Sequence, residues 1–202
     1  MNVNSSQKWD ADYQNGTDVW DLGGPHPTFK RLAASGGFKP GRMLVLGAGR
    51  GYDAREFARN GFQVTALDFS QTAVREMGRL SESDAPVELL QHDMFNLPDE
   101  MNAAFDYLLE YVTFCAIDPA RRAEFADMVK RVLKPGGLYI SLAFPLREFE
   151  GGPPFSVSTE QLLELFRARD FNLLKREWPE DSIRPRRGFE ELFIFQKTKP
   201  GE

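Results

Sequence analysis

The stretch from Arg42 to Asp68 constrains this chain most, because it reads as an apolar strand, a glycine-rich turn, a helix and a second strand ending in an acid. Met43-Leu44-Val45-Leu46 is a short continuous apolar run, the pattern of a strand buried on both faces. Gly47-Ala48-Gly49-Arg50-Gly51 follows directly. Glycines there permit positive φ and let backbone N–H groups come close to a ligand. Ala54, Phe57 and Ala58 then recur at helical spacing, with Gly61 as the stop. Phe62 to Leu67 is the next strand, and it carries Asp68 to its carboxyl end. In an open α/β sheet this arrangement is half of a nucleoside-binding crevice, with the acid placed to hold a ribose diol.

The glycine spacing narrows the ligand. A nicotinamide fingerprint would put its last glycine at position 52, which is Tyr52, whereas the third glycine here is Gly51. That Gly-x-Gly-x-Gly turn resembles the cofactor turn of class I S-adenosylmethionine-dependent methyltransferases, whose cofactor has no pyrophosphate to set on a helix N-terminus. Taken alone, a Gly-rich turn with only a structural role competes with that reading.

Several function classes are excluded by composition. With 202 residues, 42% hydrophobic and 27% charged, the chain reads as one ordinary globular domain, residues 1–202. Its net charge of −5 argues against a nucleic-acid partner, which would require a basic footprint. The one local basic cluster, Lys175-Arg176 with Arg184, Arg186 and Arg187, reads as a solvated surface rather than a binding patch. Cys115 is the only cysteine and the two histidines, His26 and His92, lie far apart, so neither a disulfide nor a Cys/His metal site is expected. No segment approaches membrane-spanning length, and a cytoplasmic location without a membrane partner is the expectation.

Along the chain, residues 1–24 carry Trp9, Tyr13 and Trp20 among polar residues and glycines. Such an arm either packs on the domain or, the favoured reading, forms a lid whose aromatic faces attract a cation such as a sulfonium. A helix is expected from Pro25 to Ser35, where His26 reads as a turn residue rather than a ligand. Ser70 caps a helix running to about Leu80, and Val87 to Leu90 is a third strand delivering His92-Asp93-Met94-Phe95 to the carboxyl edge. Asp93 is placed either to accept an adenine amino group or to cap its own loop. Phe105 to Glu110 is a fourth strand, leading into the run from Tyr111 to Ile117, in which Cys115 reads as a buried small hydrophobe. A long helix from Pro119 stops at Lys134-Pro135-Gly136-Gly137, and Leu138 to Phe144 is the fifth strand. Residues 145–158, rich in Gly and Pro, suit a loop covering a substrate pocket. A helix over Thr159 to Arg169 and two strands near Asn172 to Trp178 and Glu190 to Lys197, paired as an edge hairpin, complete the chain.

Several separate stretches together resemble the thiopurine S-methyltransferase superfamily, and within it the halide/thiol (thiocyanate) methyltransferases known from plants as harmless-to-ozone-layer proteins. They are Trp9 with Gly16 to Trp20-Asp21, Gly47-Ala48-Gly49-Arg50-Gly51-Tyr52-Asp53, Leu67-Asp68-Phe69-Ser70, Phe114-Cys115-Ala116-Ile117-Asp118-Pro119, Leu133-Lys134-Pro135 and Gly151-Gly152-Pro153-Pro154-Phe155. Asp181-Ser182-Ile183 and Arg186-Arg187-Gly188 match the family's C-terminal end. In such relatives the residue two before the first glycine is non-acidic, as Val45 is. Ala48, Leu46 and Glu110 depart from the Cys, Pro and Asp often found there.

The resemblance implies a Rossmann-like class I fold: a seven-stranded, mostly parallel sheet with a C-terminal antiparallel hairpin and helices on both faces. It implies S-adenosylmethionine as cofactor and S-adenosylhomocysteine as product. Gly47, Gly49 and Gly51 would hug the methionyl part, Asp68 and Phe69 the ribose side, and Asp93 and Met94 the adenine, with Trp20 as cover. Glu110 and Tyr111 would lie beside the departing methyl as the catalytic pair. The acceptor would be a small soft nucleophile: a thiol, bisulfide, thiocyanate or halide. Such an acceptor arrives already anionic, and the lack of a His–Asp or Lys-centred constellation fits one better than it fits a hydroxyl. Glu110, Tyr111 and Asp118 stay open as bases. Trp9, Tyr111, Phe114 and Phe155 are candidates to line the acceptor pocket with Trp20, and Arg122 is a candidate anion guide; for Phe114 and Phe155 core packing is an equal alternative. Small-molecule methylation at oxygen, nitrogen or a metalloid, and a non-catalytic cofactor-binding subunit, are the competing functions.

Overall fold

The computed structural model describes residues 2–199 and 201. Its centre is a seven-stranded sheet made of β1 (Arg42–Leu46), β2 (Gln63–Asp68), β3 (Glu88–Gln91), β4 (Phe105–Tyr111), β5 (Leu133–Ala143), β6 (Phe171–Glu177) and β7 (Glu191–Lys197). The spatial order is β3-β2-β1-β4-β5-β7-β6, parallel throughout except at β7, which runs antiparallel to both its neighbours. The strand order reverses between β1 and β4, so the carboxyl ends of β1, β2 and β4 open onto one crevice. The last two strands do form a hairpin, but β7 inserts between β5 and β6 and leaves β6 at the edge.

Alternation along the strands sorts the core into two layers. Met43, Val45, Val64, Ala66, Ile140 and Ile194 face one side, against α2 (Pro27–Ala34), α3 (Tyr52–Arg59) and α4 (Gln71–Ser81). Leu44, Leu46, Leu108, Tyr139, Phe193 and Phe195 face the other, against α5 (Arg122–Val132) and α6 (Thr159–Arg167). The sidedness follows from the two-residue period of a strand. Phe57 and Phe125, one on each side, are fully buried. Burying such a ring contributes on the order of 1.5–3 kcal/mol.

Three details differ from the sequence expectations. The arm contains a helix, α1 (Ser6–Asn15), docked on α4. Asp10 fastens it by accepting from the Ser70 hydroxyl at 2.7 Å and the Thr72 N–H at 2.9 Å. The helix expected from Pro119 opens with a 3₁₀ turn and ends at Val132. β5 then starts at Leu133, so Pro135-Gly136-Gly137 lies inside the strand, where the register with β4 is irregular. No helix among the described residues is long and apolar enough to cross a membrane.

Candidate active site

The glycine turn is built by close approach. Gly47, Gly49 and Gly51 have φ of 54°, 55° and 71°. A Cβ on Gly47 would stand 2.4 Å from Thr113 Oγ1, and one on Gly51 would stand 2.5 Å from Met77 Sδ, so both positions exclude a side chain by space as well as by φ. Thr113 belongs to the segment after β4 and donates to the Leu46 carbonyl at 3.1 Å, tying the ends of β1 and β4 together. Val112, one residue earlier, has φ of 53°. A β-branched residue there is a genuine outlier and marks stored strain at the crevice floor.

Above this floor lies a cavity of about 500 Å³. Gly47, Asp68, Phe69, Asp93 and Met94 share its wall, so the structure brings three successive strand tips to one space. Gly49 lines a smaller adjoining cavity of about 70 Å³ with Tyr13 and Trp20, and Gly51 lines neither, serving as the N-cap of α3. Asp68 accepts from Gly49 N–H and Ser70 N–H, both at 2.9 Å, so it shapes the turn while facing the cavity. Burial raises its pKa, against the pull of the Ser70, Gly49 and Phe69 amides. Asp93 accepts from Phe95 N–H at 3.0 Å, so it caps its own 3₁₀ turn while lining the same cavity.

The arm forms the roof. Trp9 packs edge-on to Trp20 with centroids 5.3 Å apart, Tyr13 meets Trp20 likewise at 5.6 Å, and all three line the cavity. Arg50 of the glycine turn holds the arm through Asp18 and Asp21 and reaches Glu76 at 2.7 Å. Residues 145–158 reach the cavity through Pro153 and Pro154.

Glu110 and Arg122 lie away from the cavity, as Gly51 does; of the two residues with a core alternative, Phe114 takes it and Phe155 lies outside the lining. Glu110 is buried beneath the floor, outside the lining: its carboxylate accepts from Thr113 N–H, Phe114 N–H, Tyr139 and Ser141. With four donors satisfied it fixes the turn after β4 and has no contact with the cavity. Phe114 packs into the core against Phe125, centroids 5.4 Å apart. Arg122 stacks on Phe114 at 4.8 Å and donates to the Ser156 carbonyl at 2.8 Å, so it clamps the covering loop instead of guiding an anion. Phe155 N–H bonds the Cys115 carbonyl at 2.6 Å, and its side chain is not part of the lining. Cys115 lines the cavity but is buried, which pushes its thiol pKa up.

The largest correction concerns Arg186, which is 9% exposed rather than solvated and points into the cavity. Its Nη1 donates to the Tyr111 hydroxyl at 2.6 Å and its Nη2 to the Trp20 carbonyl at 3.4 Å. It stacks on Phe144 at 4.8 Å. Among the described residues no carboxylate forms an ion pair with it. Burial and then the charge of Glu190 raise the Tyr111 pKa, so its hydroxyl stays protonated. His26 is no mere turn residue either: it caps α2 and its Nε2 lies 3.0 Å from Glu190 Oε1. Residue composition gave no signal for Arg186 or Glu190. The matches at Asp181-Ser182-Ile183 and Arg186-Arg187-Gly188 are the marks that point to that segment.

The donor set suits S-adenosylmethionine. Carboxylates stand at the tip of β2 and after β3, a side-chain-free turn lies beside them at the tip of β1, apolar Phe69 and Met94 flank them, and indole faces line the same cavity. The volume falls within the range of small-molecule sites, ~300–1,000 Å³.

A family model for thiopurine S-methyltransferase matches residues 4–198. A probable thiol methyltransferase 2 of Arabidopsis thaliana is 35% identical over 98% of this chain and 88% of its own length. Thiocyanate methyltransferase 1 of Brassica oleracea is 31% identical over 94% of this chain and 84% of its own. Among solved structures, the 1,6-didemethyltoxoflavin-N1-methyltransferase of Burkholderia thailandensis, with bound S-adenosylhomocysteine, superposes with a TM-score of 0.77. It covers 96% of this chain and 87% of that one at 22% identity, and so shares the fold.

Proposed function

We propose, from the premise that this chain belongs to the thiopurine S-methyltransferase family, that it transfers a methyl group from S-adenosylmethionine to a small anionic sulfur or halide acceptor held by Arg186. When bound, the cofactor supplies an electrophilic methyl on a sulfonium. Asp68 takes the ribose hydroxyls through the lone pairs its backbone donors leave free, and Asp93 with Phe69 and Met94 takes the adenine. Gly47 admits the methionyl chain, while Trp9, Tyr13 and Trp20 exclude water and face the positive charge. The loop over 145–158 closes the acceptor side through Pro153 and Pro154.

The observation that carries the acceptor class is the unpaired, buried guanidinium of Arg186 in a wall otherwise formed by groups such as Phe144, Ile117 and Pro154. Its nearest carboxylate, Glu190, is reached only through the Tyr111 hydroxyl, so the guanidinium keeps donors to offer an arriving anion. Beside Arg186, Tyr111 and Cys115 are held protonated, and the carboxylate of Glu110 is occupied by its donors. An acceptor that ionises in solution needs no base, only alignment.

The test is isothermal titration with S-adenosylhomocysteine, followed by methylation assays with bisulfide, thiocyanate, iodide, a thiopurine and phenols. Turnover of the sulfur or halide anions is expected. Turnover confined to phenols, or no binding of S-adenosylhomocysteine, would overturn the reading.

A further inference from the structure

Glu190 precedes β7 and is fully buried. Its carboxylate accepts from two hydroxyls, Tyr111 on Oε2 at 2.8 Å and Ser182 on Oε1 at 2.6 Å, and His26 Nε2 lies 3.0 Å from the same Oε1 but outside hydrogen-bond geometry. His26 Nδ1 accepts the Thr28 N–H at 3.2 Å, so the ring proton belongs on Nε2, facing Glu190. An ionised carboxylate accepts from both hydroxyls on separate oxygens, which an amide, with its single acceptor oxygen, does not. Burial opposes that charge, but His26, Ser182 and Tyr111 outweigh it and hold the Glu190 pKa below the ordinary range. The Tyr111 proton is therefore committed to Glu190, and the same oxygen accepts from Arg186.

We propose that Glu190 is a positioning residue that sets the hydrogen-bond polarity of the acceptor end: it holds the Tyr111 proton out of the cavity, so that an anion meets the Arg186 guanidinium and no hydroxyl donor. This rests on the methyltransferase reading above. A hydroxyl turned toward the acceptor would occupy the lone pair that must form the new bond to carbon. It would tighten the ground state and be lost as the acceptor's charge is consumed, so binding would improve while transfer slowed.

The experiment compares Glu190→Gln, Tyr111→Phe and the double variant with thiocyanate as acceptor, after wild-type binding of S-adenosylhomocysteine has been measured. Glu190→Gln frees the Tyr111 proton, and a kcat lower by about tenfold with KM unchanged or lower is expected. The double variant has no hydroxyl to turn inward and recovers most of that loss. A merely structural Glu190 would leave the double variant at least as impaired as the single one, and that result, or wild-type kcat in Glu190→Gln, overturns the proposal. Should Glu190→Gln not fold, the Tyr111 hydroxyl proton is located in the wild-type complex with S-adenosylhomocysteine by neutron diffraction: a proton on the Glu190 side supports the assignment and one directed into the cavity overturns it. Wild-type protein that binds no S-adenosylhomocysteine removes both readings, whereas binding with unaltered Glu190→Gln kinetics removes this one alone.

Discussion

Arg186 donates to the Tyr111 hydroxyl at 2.6 Å across 75 positions of sequence. The contact joins the segment before β7 to the tip of β4 and fixes the one buried cation that faces the acceptor side of the cavity without a carboxylate partner among the described residues. Arg186→Gln keeps a donor but removes the charge. A charge-assisted hydrogen bond is worth about 1.5–3 kcal/mol, so KM for thiocyanate should rise about 10- to 100-fold. The affinity for S-adenosylhomocysteine, measured by titration, should change by less than about threefold. An equal loss for both ligands would show that Arg186 only supports the fold.

Gly47→Ala puts a Cβ 2.4 Å from Thr113 Oγ1 at a φ of 54°. Strain of this kind costs about 1–3 kcal/mol. Gly24→Ala meets open space and should stay within about 0.5 kcal/mol of wild type. Urea midpoints compare the two, and equal midpoints would refute the close-packing account of the turn.

The arm is held by charge. Burial works against Arg50, but Asp18 and Asp21 more than compensate and raise its pKa. Arg50→Gln should loosen the roof, weakening S-adenosylhomocysteine binding by roughly three- to tenfold and speeding protease cleavage within residues 1–24. Salt should weaken binding by wild type more than by the variant, because screening removes what the substitution has already removed. Identical cleavage rates would count against the latch.

Glu110→Gln tests a stability role. The carboxylate has four donors, two of them backbone amides, and an amide side chain cannot accept them all. A loss of about 2–4 kcal/mol in unfolding free energy is expected. If the variant kept wild-type stability while losing turnover, Glu110 would belong in the chemistry after all.

Burial pushes the Asp53 carboxyl up to about 6, against the opposing pull of the His26 N–H, whereas its ordinary value is 3.8. Between those values the folded chain keeps a proton that the unfolded chain has released. Its contribution is therefore full below pH 3.8 and is lost as pH rises through about 6. Asp53→Asn should flatten that part of the Tm-against-pH curve, removing up to about 3 kcal/mol of pH dependence. A curve with the wild-type slope between pH 4 and 6 would place the dependence elsewhere.

Local pattern was sufficient for the frame of this protein. The apolar run of β1, the glycines behind it and the acid ending β2 specify a strand, a turn and a carboxylate by steric and hydrophobic rules that act over a few residues, and the structure places Gly47, Asp68 and Asp93 on one cavity. The helix in the arm is not legible in the sequence because its apolar positions are few and its order comes from Asp10 capping a distant helix. The places of Glu110 and Arg122 are not legible for a related reason: the backbone groups they bind, the amides of Thr113 and Phe114 and the carbonyl of Ser156, are set by tertiary packing. Arg186, Glu190, His26 and Tyr111 lie far apart in the chain and carry no shared spacing. Only the insertion of β7 beside β5 brings them together, and it sets one tyrosine hydroxyl between a buried arginine and a buried carboxylate.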